Sequence, residues 1–247
     1  MWKIGVHNRI RARNRGGSTD PTRQHGAKSE RGRGDRGVAA IEGAFVLPVL
    51  LVFIFGLFDG GLLFRSYLTA GDAVGDATRI GAIVGPDPYV LVNDPGNPAD
   101  DVNVTGDYMI VKAIREGTAS IDPQLIEKIV VFKAGPPGRG TPLRQVPNSC
   151  RNGWSSSSFW KCNVYPGQQA FQAVQTGNIA YFRCDVGNER ACGWRPQDRN
   201  DGPQLSQIDY LGVYLRVRHN LLTGLFGEVR TLERAMILRL EPGEVQS

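Results

Sequence analysis

Hydrophobic and polar positions divide the chain into three stretches. The first, up to Gly37, has almost no apolar periodicity. The second, GVAAIEGAFVLPVLLVFIFGLFDGGLLF from Gly37 to Phe64, is a single apolar run with an acid near each end, Glu42 and Asp59. Between those acids the sixteen residues Gly43 to Phe58 carry no charge. A bilayer core of ~30 Å takes ~20 mostly apolar helical residues, and Val38 to Phe64 supplies 27. The acids stand 17 residues apart, about 25 Å along a helix, so each falls near one interface, away from the bilayer centre where a charge is most costly. The pattern predicts a transmembrane helix over about residues 40–64, with Pro48 inside it as a source of a kink. A cleaved signal peptide fits less well, because the run exceeds the usual ~7–15 residues and no A-x-A site follows. A buried core helix fits least, because Gly43 to Phe58 has no polar face.

Beyond Phe64 the periodicity becomes helical with a narrow face of small or apolar residues: Ala70, Ala73, Val74, Ala77, Ile80, Gly81 and Val84. Small residues admit close approach of another backbone. The spacing predicts that the helix leaves the membrane and continues to about Val84, stopping before Gly85-Pro86, so that residues 38–84 form one element. Residues 85–103 hold four Pro among Asp and Asn and are expected to be a linker. Val104 to Ser120 predicts an amphipathic helix, with Thr105 as N-cap, Met109, Ile110, Ala113 and Ile114 on one face, and Gly117 near its end. Ile126 to Ala134 reads as a strand ended by GPPGRGTP at 135–142. Residues 143–204 read as irregular. Two strands close the chain, Ile208 to His219 and Val229 to Leu240. They are joined by Asn220 to Glu228, whose Leu221, Leu222, Leu225 and Phe226 need cover from the sheet, a partner or the membrane. The expected fold class is α+β: a long N-terminal transmembrane helix, then a small antiparallel sheet domain over 104–247 with a disulfide-bearing irregular region.

Charge sharpens the orientation. The chain is formally +5, but residues 1–37 hold ten Lys/Arg against three acids, +7, leaving −2 for the rest. This arm is rich in Arg, Gly and Ser and too poor in apolar residues to offset its ordering entropy, so it is expected to be disordered. A basic arm directly before a membrane segment stays in the cytoplasm, which places the remainder outside, in a single-pass topology. Nucleic acid is not the expected partner, since no aromatic residue interleaves the charges after Trp2.

All four cysteines, Cys150, Cys162, Cys184 and Cys192, follow the apolar run. No C-x-x-C occurs, which argues against zinc, and an even count outside the membrane argues for two disulfides. Of the three connectivities, Cys150–Cys162 and Cys184–Cys192 are favoured as nearest in sequence. Trp154, Phe159, Trp160 and Trp194 sit among them, either as core around the bridges or as a ligand or partner patch. Catalytic motifs are not found. His7 and His25 lie in the arm, His219 lies at a strand end with no framing Ser or Asp motif, and no G-x-x-x-x-G-K-[ST], G-x-S-x-G or H-E-x-x-H is present. No cofactor and no metal are expected.

The segment from Arg36 to Pro48, RGVAAIEGAFVLP, resembles the TadE-like family of tight-adherence (Tad) pilus systems in its basic-Gly, Ala-Ala-x-Glu and Leu-Pro order. Phe55-Gly56-Leu57-Phe58-Asp59-Gly60-Gly61 is similar to that family's Phe-Gly-x-x-acid-x-Gly element, and Asp76 to Ala82 resembles its Ala-Ala-Arg-x-Gly-Ala stretch. The resemblance covers about residues 36–84, and the strand–LTGLFG–strand ending resembles actinobacterial relatives more loosely. It implies a pseudopilin or minor pilin, structural rather than catalytic, cut by a prepilin peptidase after Gly37. Val38 would then become the first residue and Glu42 the fifth. Its expected partners are the cytoplasmic membrane and other pilins or pseudopilins, met through the helix, with Glu42 and Asp59 as assembly residues. A freed amine on Val38 of a neighbouring subunit would give Glu42 the cation that a carboxylate in lipid needs. The alternative is a single-pass anchored binding or sensor module unrelated to pili, in which nothing depends on Glu42.

Overall fold

The computed structural model describes residues 35–87, 90–92, 102–135, 146–184, 189–202, 207–224 and 227–242. The arm up to residue 34, all of 136–145, and Leu225 and Phe226 of the last loop lie outside them. Helix α1, Asp35–Val84, is a single element of 50 residues with Pro48 inside it. Its apolar side chains from Ile41 to Phe58 are exposed. From Asp59 onward one face turns inward: Asp59, Ala70, Ala73, Val74, Ala77, Thr78 and Ala82 are buried. This is the face that the three-to-four-residue spacing predicts.

Four strands form an antiparallel sheet in the order β4-β3-β5-β6, namely β3 Ile126–Ala134, β4 Cys162–Pro166, β5 Tyr210–Asn220 and β6 Val229–Arg239. Period-two alternation sorts their side chains. Ile129, Val131, Leu211, Val213, Leu215 and Val217 join Ala70, Val74 and Ala77 of α1 in one core. Helices α2, Gly106–Gly117, and α4, Gly167–Gln175, complete it with Ile110, Ile114, Phe171 and Val174. On the other face Val130, Phe132, Val164 and Tyr214 pack under Val146 and the Cys150–Cys162 bridge. β3 is therefore apolar on both sides, which explains its unbroken IVVF run. Two glycines allow the layers to close. A Cβ on Gly117 would lie 2.9 Å from Cα of Ala73, so α2 reaches α1 because that Cβ is missing. A Cβ on Gly212 would sit 2.2 Å from the ring of Phe132.

The expected α+β plan is present, including the Thr105 cap, whose side chain accepts from the Tyr108 N–H at 3.3 Å. Two expectations are corrected. The 85–103 linker contains a short antiparallel pair, β1 Val90–Val92 and β2 Val102–Val104, so the helix that follows starts at Gly106 and not at Val104. The irregular 143–204 region contains β4, α4 and a one-turn helix α3, Asn148–Asn152. β4 escapes a sequence reading because it does not alternate: Cys162, Asn163, Val164 and Tyr165 are all buried.

The polar Asn163 is tolerated inside because it belongs to a closed network. Asp107, in the first turn of α2, accepts from Asn163 Nδ2 and from the Tyr165 hydroxyl, both at 2.7 Å. Its other oxygen takes Arg199 Nη2 at 2.5 Å. Arg199 also donates to the carbonyls of Gly85 at 2.7 Å and Trp194 at 3.1 Å, and both charges are sealed from water. Burial, with the Asp107 carboxylate beside it, pushes the Tyr165 hydroxyl well above the usual tyrosine range. The network ties α1's end, α2, β4 and the 194–199 turn together.

The hairpin entering β4 closes through paired hydrogen bonds between Ser157 and Cys162. Its tip holds Lys161 at φ 50°, the single non-glycine residue at positive φ among the described residues. A side chain there costs ~1–2 kcal/mol, partly offset in a glycine variant by the larger entropy of the unfolded chain. Lys161→Gly should therefore leave stability unchanged or raise it by up to ~1 kcal/mol in a denaturant titration; a clear loss would mean that the amine, not the backbone, holds the tip.

Candidate functional site on the apolar helix

The position where α1 first becomes buried is an acid. Asp59 is only 2% exposed although its neighbours Phe58 and Gly60 are open. The tip of the β5–β6 hairpin comes to it. The backbone N–H of Leu222 donates to Oδ1 at 3.0 Å and that of Thr223 to Oδ2 at 3.3 Å. The Thr223 hydroxyl donates to the same Oδ2. A bend after β5 turns these backbone donors to the carboxylate, and Gly224, at φ 66°, lets the chain turn away at once. The carboxylate thus caps a hairpin much as a side chain caps a helix, but across 163 residues of sequence. Hydrogen bonds to a charged acceptor are worth ~1.5–3 kcal/mol each before the cost of burial.

The same helix face carries further polar clasps. Ser66 Oγ lies 3.2 Å from Nδ1 of His219 near the end of β5. At the next residue, the Arg234 guanidinium of β6 stacks on the Tyr67 ring, 3.2 Å from its centroid, and lies against Gly71. Ser66, His219 and Asp59 share one neighbourhood, but they do not form a hydrolase relay. That relay needs the carboxylate on the imidazole, and Asp59 spends its oxygens on residues 222 and 223.

The sequence-predicted residues divide accordingly. Gly37 and Val38 lie in the first turn of α1, and their side chains are outside the described set. Glu42 is exposed on α1, with no protein partner assigned among the described residues. Asp59 is brought against the hairpin tip. Leu222 itself remains 75% exposed beside it. The cysteines pair as Cys150–Cys162 and Cys184–Cys192. Among the aromatics, Trp194 is core, whereas Trp154, Phe159 and Trp160 are exposed. Thr223, Ser66 and Arg234 are functional neighbours that the sequence reading did not single out. The available signal was the acid itself, since a carboxylate in an apolar helix requires donors and Thr-Gly in the apolar loop offers them.

Glu42 and Asp59 thus mark the two ends of an exposed apolar stretch on one helix, and the order of basic residue, Gly, acid, Pro and acid along that stretch can be compared with known proteins. Residues 37–79 match the family model of TadE-like proteins. The TadE-like segment lies wholly within α1 and includes both acids. It ends at Arg79, so the sheet domain lies beyond the match. No curated protein and no solved structure matches the chain significantly. Helix α1 is long and apolar enough to cross a membrane.

Proposed function

We propose that this chain is a TadE-like pseudopilin or minor pilin, anchored by one transmembrane helix and taking part in assembly of a Tad pilus. The observation that carries the reading is the division of α1 inside one TadE-like segment: exposed apolar side chains over Ile41 to Phe58, then a buried face from Asp59. Eighteen residues of helix, 41–58, span about 27 Å, close to a bilayer core. The sheet domain then stands directly on the membrane, with Asp59 and the hairpin tip at the interface. The basic arm keeps the N-terminus inside. A prepilin peptidase cuts after Gly37, and the new amine of Val38 in one subunit neutralises Glu42 of its neighbour as the helices pack into a fibre or its base. The chain's role is structural, with assembly, not turnover, as its output.

Mass spectrometry of protein extracted from membranes of a strain with the pilus machinery is expected to find Val38 as the N-terminal residue; an intact basic arm would remove the processing step. Glu42→Ala should leave the cut and the membrane insertion intact while abolishing crosslinks between copies through the helix. Undiminished crosslinking would favour an anchored module of another kind.

A further inference from the structure

Where the start of β5 and the end of β6 meet the β4 hairpin tip, the domain opens a cavity of about 540 Å³, within the range of small-ligand sites. It is lined by Lys133, Trp160, Lys161, Asp209, Tyr210 and Arg239. Three of these are cations and one is an acid. Asp209 is already engaged: its carboxylate takes the Lys133 ammonium at 2.6 Å and the Asn200 N–H at 3.1 Å. Two positive groups therefore remain for a ligand, Lys161 and Arg239. Among the described residues the Lys161 amine has no hydrogen bond, and its charge acts on Asp198. Arg239 lines the cavity from the end of β6, and its buried Nε has no hydrogen-bond partner among the described residues.

The walls add a second, independent observation. Phe159 and Trp160 stand edge to face at 4.9 Å on the hairpin tip. They are 81% and 50% exposed, unlike the buried Trp194 a short way along the chain. The tip is held at the sheet end by the Lys133 N–H donating to the Lys161 carbonyl at 2.9 Å. It keeps Lys161 in a left-handed conformation that a lysine disfavours. Backbone strain beside exposed rings and a cationic wall is a pattern of binding sites.

We propose that this cavity binds an acidic saccharide, a sugar bearing a carboxylate. Trp160 offers its face to the apolar C–H side of the ring, as an aromatic quadrupole favours. Arg239 takes the carboxylate with paired N–H donors, Lys161 adds a second charge, and the Tyr210 hydroxyl reaches the sugar hydroxyls. Two free cations match one carboxylate per sugar better than a polyphosphate. The site is independent of the pilus reading and stands whether or not Gly37 is cut.

The test is titration of the detergent-solubilised full chain with an unbranched galacturonate tetramer, followed by tryptophan fluorescence and calorimetry. Cellotetraose and inorganic phosphate serve as comparison probes. Saturable binding of the galacturonate, at least tenfold tighter than cellotetraose and not displaced by equimolar phosphate, is expected. Trp160→Ala and Arg239→Gln should each weaken it tenfold or more. Lys161→Gly should weaken it with no loss of thermal stability, which separates ligand contact from folding. No binding, equal binding of cellotetraose, displacement by phosphate, or variants that bind as well as the parent would each overturn the assignment.

Discussion

Replacing Arg199 with Met is expected to cost the domain ~3–5 kcal/mol, because it leaves the Asp107 carboxylate sealed from water with its cation gone. For a chain of this size that corresponds to a fall in Tm of roughly 6–20 °C, measurable by circular dichroism in detergent. The loss is large because Arg199 does three things at once: it neutralises Asp107 and satisfies the carbonyls of Gly85 and Trp194. Arg199→Lys should rescue little. One ammonium keeps the charge but cannot reach a carboxylate and two carbonyls with the geometry of a planar fork. Asp107→Asn should fall between, since the amide oxygen still accepts from Tyr165 or Asn163 but no longer balances the guanidinium. A loss below 1 kcal/mol for Arg199→Met would mean that water reaches the pair and that the network is not the tie described above.

Asp59→Ala is expected to free the β5–β6 hairpin tip. The carboxylate accepts two backbone N–H groups and one hydroxyl, so its removal withdraws all three of these contacts from the tip. Amide exchange at Leu222 and Thr223 should speed up by two orders of magnitude or more, while the centres of β3 and β5 keep their protection. Thr223→Val is the milder counterpart: it removes only the hydroxyl and should speed exchange by about tenfold, equivalent to ~1.4 kcal/mol. The readout is local because the tip lies at the edge of the sheet and opens without exposing the core. Exchange unchanged in the alanine variant would show that contacts other than Asp59 hold the tip.

What the sequence made legible follows from the range of each interaction. Helix α1 and strands β3, β5 and β6 announce themselves because their periodicity is long and one-sided, with Leu211, Val213, Leu215 and Val217 alternating over a full strand. Thr105 was recognisable as a cap because its partner Tyr108 is three residues away. The bridges followed from nearness in sequence, as their separations of 12 and 8 residues permit. β4 was hidden because tertiary contacts override its pattern: Asn163 is polar by composition and core by environment, satisfied by Asp107 and Trp194. β1 and β2 were hidden among prolines because three-residue strands carry too little periodicity to register. Of the helix site, the acids and their spacing were readable, but the donors to Asp59 were not, because they lie 163 and 164 residues away and two of the three are backbone groups. Arg199 likewise finds Asp107 across 92 residues, and no local rule pairs them.

Because the buried face of α1 begins at Asp59, the domain holds its helix at two places, the Asp59 clasp on the hairpin tip and the Ala70–Ala82 face. A pull on the sheet is therefore shared between the two holds on residues 59–82 and does not fall on either one alone.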